Sequence, residues 1–409
     1  MRILMLSQFY PPFIGGEEQH VETLCIELAK RGHNITVATL WRPGLAEHEV
    51  DAHGIHIYRI HSLTQSMPWL FADKERPFAP PFPDPGITKT LKEIITKEKP
   101  EIVHTHNWIV YSFLPLKAWS KIPLIVTLHN FNLVCAKMTL MRNNVPCSGP
   151  SLLKCLECAG RHYGIAKGTP TVIGNWTMSK IERKAVDMFI SVSNAVATDN
   201  KLVEDKLPFE IIPNFLPDNI SPEDTFDQAY IAKLPQEDFL LFVGALGYAK
   251  GINTLIEAYN DLKHRIPLVL IGYTTPEWQE LAKQIPDNIF VFENWPHHAV
   301  MAAWKRCMIA LIPSIWKEPF GIVAIEAMSQ GKPIIASRIG GLTDIVIDGE
   351  TGILVEPGNT TELRSAIDTL VSNPEKRKDM ARAALLRTQI FKAETIIPQI
   401  EKVYKKALK

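Results

Sequence analysis

The sequence lacks a surplus of charge of either sign. Lys+Arg and Asp+Glu are both 44 in 409 residues, so the formal net charge is zero. A protein whose main task is gripping nucleic acid needs a basic excess to displace counterions, and no nucleic-acid partner is expected. The chain also has no run of about 18 apolar residues, so no membrane-spanning helix is expected. The first apolar run, Ile3–Leu6, is shorter than the roughly 7–15 residues of a secretory signal core, and no small-residue cleavage pattern follows. A cytoplasmic location is therefore expected. Cysteine is sparse, with six residues in all, too few for a disulfide scaffold. Low-complexity tracts and repeats of solenoid period are missing as well.

What remains is an ordinary globular mix, 46% hydrophobic and 22% charged, long enough for two or three domains. Ile3–Ser7 reads as a buried parallel strand, followed by a loop with Pro11, Pro12, Gly15 and Gly16. Val21, Leu24, Cys25, Leu28 and Ala29 then recur at spacings of three and four, one face of a helix that Gly32 closes. Ile35–Leu40 is the next strand, completing a βαβ unit. The pattern repeats with strands at Ile102–His106, Leu124–His129, Met188–Ser193 and Glu210–Pro213, and a helix at Ile109–Trp119. A second series starts at Phe239–Gly244. It continues through helix Asn253–His264, strands Leu268–Gly272, Ile289–Phe292 and Ile309–Pro313, helix Ile322–Gln330, and strands Pro333–Ser337 and Gly352–Val355.

Alternation of this kind over the whole length predicts an α/β protein with two Rossmann-like, doubly wound parallel-sheet domains. The Pro-, Asp- and Asn-rich segment Asn214–Pro235 marks the boundary. The expected domains are 1–214 and 215–385, with a C-terminal helix of about 386–409 packing back on the first. Pro398 is expected to kink or interrupt that helix. The Pro-rich segment Leu63–Gly86 carries Trp69, Leu70, Phe71, Phe78 and Phe82 and reads as a long functional loop. With Arg161, Lys167, Lys180, Arg183 and Lys184 it would supply the apolar and basic groups of a peripheral membrane contact at the inner face.

Three segments could carry chemistry. In Glu318-Pro319-Phe320-Gly321-Ile322, Pro319 suits a helix start and Gly321 lets a ligand approach the backbone. The free N–H groups of the helix that follows would favour an anion. Glu326 falls about one turn into that helix. A capping acid and a solvated acid would satisfy the same spacing. Gly244–Gly251, with Lys250, follows a buried strand and suits phosphate, although it lacks the G-K-[ST] of a Walker loop. Gly15-Gly16 opens the first helix without a full G-x-G-x-x-G fingerprint, and Glu17-Glu18 there answer the helix dipole.

Taken together these motifs resemble retaining glycosyltransferase family 4, of the GT-B fold, in which two such domains face each other across a cleft. The resemblance runs from Gly15-Gly16-Glu17-x-x-His20-Val21 to Gly340–Gly358 and centres on Glu318-Pro319-Phe320-Gly321 with Glu326-Ala327-Met328. It implies a hexosyltransferase that moves sugar from a nucleotide-diphosphate sugar (UDP-, GDP- or ADP-linked) to a glycan, lipid-linked or small-molecule acceptor in polysaccharide or glycoconjugate biosynthesis. Other GT-B enzymes, an epimerase or a sugar-phosphate synthase, and a non-catalytic nucleotide-sugar or glycan binding protein are the rivals. By resemblance, Glu318 lies beside the donor sugar and Glu326 bonds the ribose. Lys250 with Gly251 meets the diphosphate, and the backbone of Phe320, Gly321 and Ile322 meets sugar and diphosphate. Gly15 and Gly16 close over the diphosphate, and His129 stands near the sugar. No cofactor is implied for catalysis. The family carries Arg where this chain has Ala245, and Arg338 or Lys317 are candidates to replace that charge.

Cys135, Cys147, Cys155 and Cys158 cluster, the last two as C-x2-C, beside the turn formers Gly149, Pro150 and Gly160. A structural zinc knuckle is one reading; free thiols and redox pairing are the others. Cys25 and Cys307 read as core, and His104 and His106 as structural histidines or cleft lining.

Overall fold

A computed structural model describes residues 1–12, 15–67, 78–217 and 227–409. Trp69, Leu70 and Phe71 lie outside the described residues. The chain forms two compact units. One holds Met1–Leu140, Cys147–Pro213 and Ile396–Lys409; the other holds Asn214–Thr395 and Met141–Pro146.

The first unit is built on an eight-stranded sheet. Its strands are β1 (Arg2–Ser7), β2 (Asn34–Leu40), β3 (His48–Val50), β4 (His56–Ile60), β5 (Ile102–His106), β6 (Leu124–Leu128), β9 (Met188–Ser191) and β10 (Phe209–Ile211), in the order β10-β9-β6-β5-β1-β2-β4-β3. All neighbours are parallel except β3 and β4. The chain leaves β1 toward β2 and β4, then returns to place β5 on the other side. The direction thus switches between β1 and β5, and in open α/β sheets ligands bind outside the strand ends at such a point. The short strands β7 (Met141–Arg142) and β8 (Val145–Pro146) form a separate hairpin.

The second unit repeats the plan with β11 (Leu240–Val243), β12 (Leu268–Gly272), β13 (Ile289–Glu293), β14 (Ile309–Ile312), β15 (Ile334–Ser337) and β16 (Gly352–Val355), ordered β13-β12-β11-β14-β15-β16 and parallel throughout. Here the switch lies between β11 and β14. Leu240, Leu241, Phe242, Leu268, Val269, Leu270, Ile309, Ala310 and Leu311 are all sealed from water. Strands covered on both faces have to read as unbroken apolar runs, and these do.

Several elements depart from the sequence expectation. The helix Pro85–Glu98 begins where a loop was expected; Asp84 caps it by accepting from the Gly86 and Ile87 N–H groups. Pro398 does not interrupt the last helix, which runs from Ala393 to Ala407. The lost backbone bond is offset by burial of Ile396, Ile397, Ile400, Val403 and Tyr404 on one face. The break falls earlier, at the tight turn Thr388–Phe391.

The C-x2-C end of the segment expected to make a turn-rich metal knuckle is helical. Cys155, Cys158 and Gly160 lie within helix Leu152–Tyr163, which packs on helix Ile165–Ala185. Gly160 and Ala159 face Gly168 so closely that a Cβ on Gly168 would lie 2.5 Å from the Ala159 backbone. These glycines serve helix contact, not a metal turn. All six cysteines are free thiols, and among the described residues no group of three or more His, Cys, Asp or Glu side chains is placed to hold a metal ion. The donor set of a tetrahedral zinc site is not assembled by Cys135, Cys147, Cys155 and Cys158 in this structure. Nor is any helix of the described residues long and apolar enough to cross a membrane.

Candidate active site

In the second unit the two switch-point loops are locked together by backbone. After β11 the chain passes Gly244 and makes a single turn, Tyr248–Lys250. Gly251 follows at φ +75° and leads into helix Ile252–Asn260. A Cβ on Gly251 would lie 1.8 Å from the Pro313 carbonyl oxygen. Only glycine lets this turn sit against the loop after β14. The Ile315 and Trp316 N–H groups both donate to the Ala249 carbonyl, at 2.9 and 3.1 Å.

That register delivers Lys250. Its Nζ lies 2.5 Å from Glu318 Oε1 and 5.0 Å from the centre of the Trp316 ring. Ser314 Oγ donates to the same carboxylate oxygen at 2.6 Å. Glu318 is 4% exposed, so its charge is removed from water and held by two donors, the arrangement that makes such a burial tolerable. Both donors use Oε1, which leaves Oε2 as an acceptor for a ligand hydroxyl. From behind, the Gly341 N–H donates to the Glu318 carbonyl at 2.7 Å, and a Cβ on Gly340 would lie 2.3 Å from that oxygen. The chain then turns at Gly321, φ +109°, into helix Ile322–Ser329. The first amides of that helix have no partner within it and carry its positive dipole end. Phe320 turns its ring inward against Phe391, leaving its backbone for the site.

Glu326, also buried, accepts from or shares a proton with His297 Nε2 at 2.8 Å. The hydrogen bond to Glu326 raises the His297 pKa above its ordinary value. Lys250, Gly251, Glu318, Phe320, Gly321 and Ile322 thus meet in two adjoining loops, with Glu326 farther along the same helix. Arg338 does not stand in for the charge missing at Ala245. Its guanidinium is tied to Asp348 at 2.5 Å and Glu356 at 3.4 Å.

In the first unit a different chemistry gathers at the strand ends. Asn107, just past β5, donates to Glu17 at the start of helix Gly16–Lys30 and accepts from Asn130 at 2.6 Å. The Glu18 carboxylate folds back over Gly15, where a Cβ would lie 2.1 Å from Oε2. Four histidines cluster beside these groups. His106 Nδ1 is 2.8 Å from His129 Nε2, the His129 ring stands edge-on to His20, and His104 joins Thr127 and Tyr404 at 2.7 and 2.8 Å. Burial pushes His20 and His104 down to about 3 and holds His106 and His129 well below the ordinary value. All four are neutral at pH 7.

Neutrality fixes a tautomer. His106 Nε2 lies 3.1 Å from the Met5 sulfur. A thioether can only accept, so His106 carries its proton on Nε2 and accepts at Nδ1. His129 Nε2–H is then the donor, and His129 keeps an unprotonated Nδ1.

Sequence reasoning alone missed Ser314 and Trp316 as partners of the Lys250–Glu318 pair, the Asn107–Asn130 link, His20 and Met5 as supports of His129, and His297 as the partner of Glu326. Ser314 did have a signal, standing with Pro313 just upstream of Glu318 in the stretch that carries the family resemblance, although its bond to Glu318 was not foreseen. His297 had none, because its bond to Glu326 spans 29 residues.

Two doubly wound sheets, the second with a lysine–carboxylate site at its switch point, define a protein of GT-B glycosyltransferase architecture. Sucrose-phosphate synthase from Thermosynechococcus elongatus superposes with a TM-score of 0.77 at 20% identity, covering 99% of this chain and 98% of that one. The Anabaena protein HepE, solved in complex with UDP and glucose, gives 0.71 at 19% identity over 99% and 100%. Residues 14–218 match the profile of Glycosyltransferase Family 4, and residues 224–387 that of Glycosyl transferases group 1. The chain belongs to glycosyltransferase family 4 and is a transferase enzyme. Glycogen synthase of Mycobacterium tuberculosis is 27% identical over 434 aligned residues, covering 99% of this chain and 94% of its own.

Proposed function

We propose that this enzyme transfers a hexose from a nucleotide-diphosphate sugar to a hydroxyl acceptor with retention of anomeric configuration, and that UDP-glucose is the first donor to test. The observation that carries the reading is the Lys250–Glu318–Ser314 cluster beside the start of helix Ile322–Ser329. Departure of a nucleoside diphosphate leaves negative charge on phosphate and a cationic sugar. Lys250 and the free helix amides suit the first, and the fixed Glu318 carboxylate suits the second. Glu318 is held by Lys250 and Ser314, and its Oε2 positions the donor sugar through a hydroxyl. The leaving phosphate, on the same face of the sugar, takes the acceptor proton. His129 offers its Nδ1 lone pair to a sugar hydroxyl, Gly15 and Gly16 contact the diphosphate, and Glu326 takes a ribose hydroxyl, displacing His297. The solved HepE complex with UDP and glucose supports a uridine donor as the starting point.

The test is nucleoside diphosphate release from a panel of UDP-, GDP- and ADP-sugars with and without acceptor extract, with the product's anomeric configuration read by NMR. Glu318→Ala and Lys250→Ala should each lower the rate by roughly 100- to 1,000-fold, the range for removing a preorganised electrostatic group. Turnover of both variants at the wild-type rate would overturn the site, and an inverted product would overturn retention.

A further inference from the structure

The first unit contains a pocket of about 350 Å³, within the size range of small-ligand sites. Its floor is apolar, formed by Leu133, Ala136 and Val172, all buried. Its wall is the helix Ile165–Ala185, which presents Asn175, Trp176, Lys180 and Arg183 to it. Lys201 and Asp205 complete the rim.

Two observations mark this as a place for a ligand. Asn175 is 4% exposed, and its side-chain carbonyl oxygen is buried with no hydrogen-bond partner. A buried amide oxygen without a donor is costly, and a ligand hydroxyl that drew the Asn175 amide toward the pocket it lines would satisfy it. Three cations face one carboxylate around the rim. Arg183 is paired with Asp205 at 2.6 Å and also holds the Asn200 carbonyl, and Lys201 reaches Glu204. Lys180 makes no ion pair among the described residues; it lies 4.4 Å from the centre of the Trp176 ring. With Arg183 on Asp205 and Lys201 on Glu204, the rim keeps one positive charge beyond its carboxylates, that of Lys180, and three cationic donors that an anionic phosphate group could share.

We propose that this pocket binds a phosphorylated sugar. The ring's C–H face lies on the apolar floor and against Trp176, a ring hydroxyl donates to Asn175, and the phosphate meets Lys180, Arg183 and Lys201. The site is wired to the strand-end residues of the same unit. Asn200, whose carbonyl Arg183 holds, donates to the Asn130 carbonyl at 2.8 Å and accepts from the Leu133 N–H. Asn130 adjoins His129, so occupancy of the pocket bears directly on the loop that carries that histidine.

The test uses the full chain and three soluble probes, glucose 6-phosphate, glucose and inorganic phosphate, followed by calorimetry at low salt. Glucose 6-phosphate should bind, and each of the other two should bind about tenfold more weakly. Lys180→Glu, at an exposed position that leaves the fold intact, and Asn175→Leu should each weaken glucose 6-phosphate by about tenfold or more. Lys250→Ala should leave it unchanged, which separates this pocket from the proposed donor site. A vesicle arm with phosphatidylinositol 4-phosphate distinguishes sources. Flotation that Lys180→Glu abolishes, without binding of the soluble probe, would assign the same chemistry to a lipid headgroup. No binding of either probe to the wild type, or binding that survives Lys180→Glu but is lost in Lys250→Ala, would overturn the proposal.

Discussion

The two units share one sheet plan yet equip their switch points in opposite ways. The second unit puts ionic groups there: Lys250 on Glu318, and His297 on Glu326. The first unit puts four neutral histidines, buried deeply enough to lose their charge. The difference follows from what surrounds each group. Glu318 is met by an ammonium and a hydroxyl, so its buried carboxylate has two donors in place of water. His104 and His106 sit on a fully buried strand with Thr127, Tyr404, Met5 and His129 for hydrogen-bond partners, and no carboxylate pays for a proton. One site sets fixed ionic groups side by side; the other presents fixed, uncharged hydrogen-bonding atoms.

The sharpest way to break the ionic side, after the Glu318 and Lys250 substitutions, is through the backbone that aligns it. Gly251→Ala adds a Cβ 1.8 Å from the Pro313 oxygen at a positive φ. It should cost about 2–4 kcal/mol and separate Lys250 from Glu318. Denaturant unfolding should show the loss, and activity should fall with it.

The neutral side predicts a pH response of its own. His20 and His104 have folded pKa values of about 3 against an ordinary 6.5. The unfolded chain binds more protons between those values, so stability falls as pH drops below 6.5. In the same unit, burial pushes Glu182 up to about 8. There the native state holds the extra proton, so stability falls as pH rises from the ordinary carboxylate range through 8. Glu182→Gln should therefore raise the melting temperature at pH 8.5, with a gain on the order of a few kcal/mol or less, and give no gain at pH 5. An equal gain at both pH values would refute the assignment.

A smaller effect tests the tautomer. His106→Phe removes the acceptor for His129 Nε2–H. The nitrogen chemical shifts of His129 should change from a single tautomer to a mixture, and turnover should fall by about tenfold with little change in KM. A purely structural histidine would leave the His129 tautomer alone.

The smallest effect lies at His297, which is partly exposed. Its raised pKa, caused by Glu326, means that its contribution to stability is complete below about pH 6.5 and fades as pH rises through the folded value. His297→Gln should lower the melting temperature slightly at pH 6 and not at pH 9.

How much of this was legible in the sequence depends on the range of each interaction. Gly251, Gly321 and the Glu318–Glu326 spacing are local devices, a positive φ or a turn of helix, and local devices leave a mark in sequence. The apolar strands were equally readable, because a strand covered on both faces has no polar alternative. The helices Leu152–Tyr163 and Ile165–Ala185 were not. Gly164 does break the chain between them, at φ +81°, but Gly160, Gly168 and Pro170 argue against helix one by one, and tertiary packing of Gly168 on Ala159 overrides them.

The balance of 44 acidic and 44 basic residues argued against a protein whose main task is gripping nucleic acid and left open where the charges would be spent. Alternating apolar runs and glycine-punctuated loops determined two doubly wound sheets and the loops that matter. Only the tertiary structure decided that Lys250 spends its charge on Glu318, that Arg338 is committed to Asp348, that four histidines give theirs up, and that Asn175 waits beside a basic rim. Composition counts charges, but their ionisation and pairing depend on desolvation and on neighbours tens to hundreds of residues away, which exist only once the chain has folded.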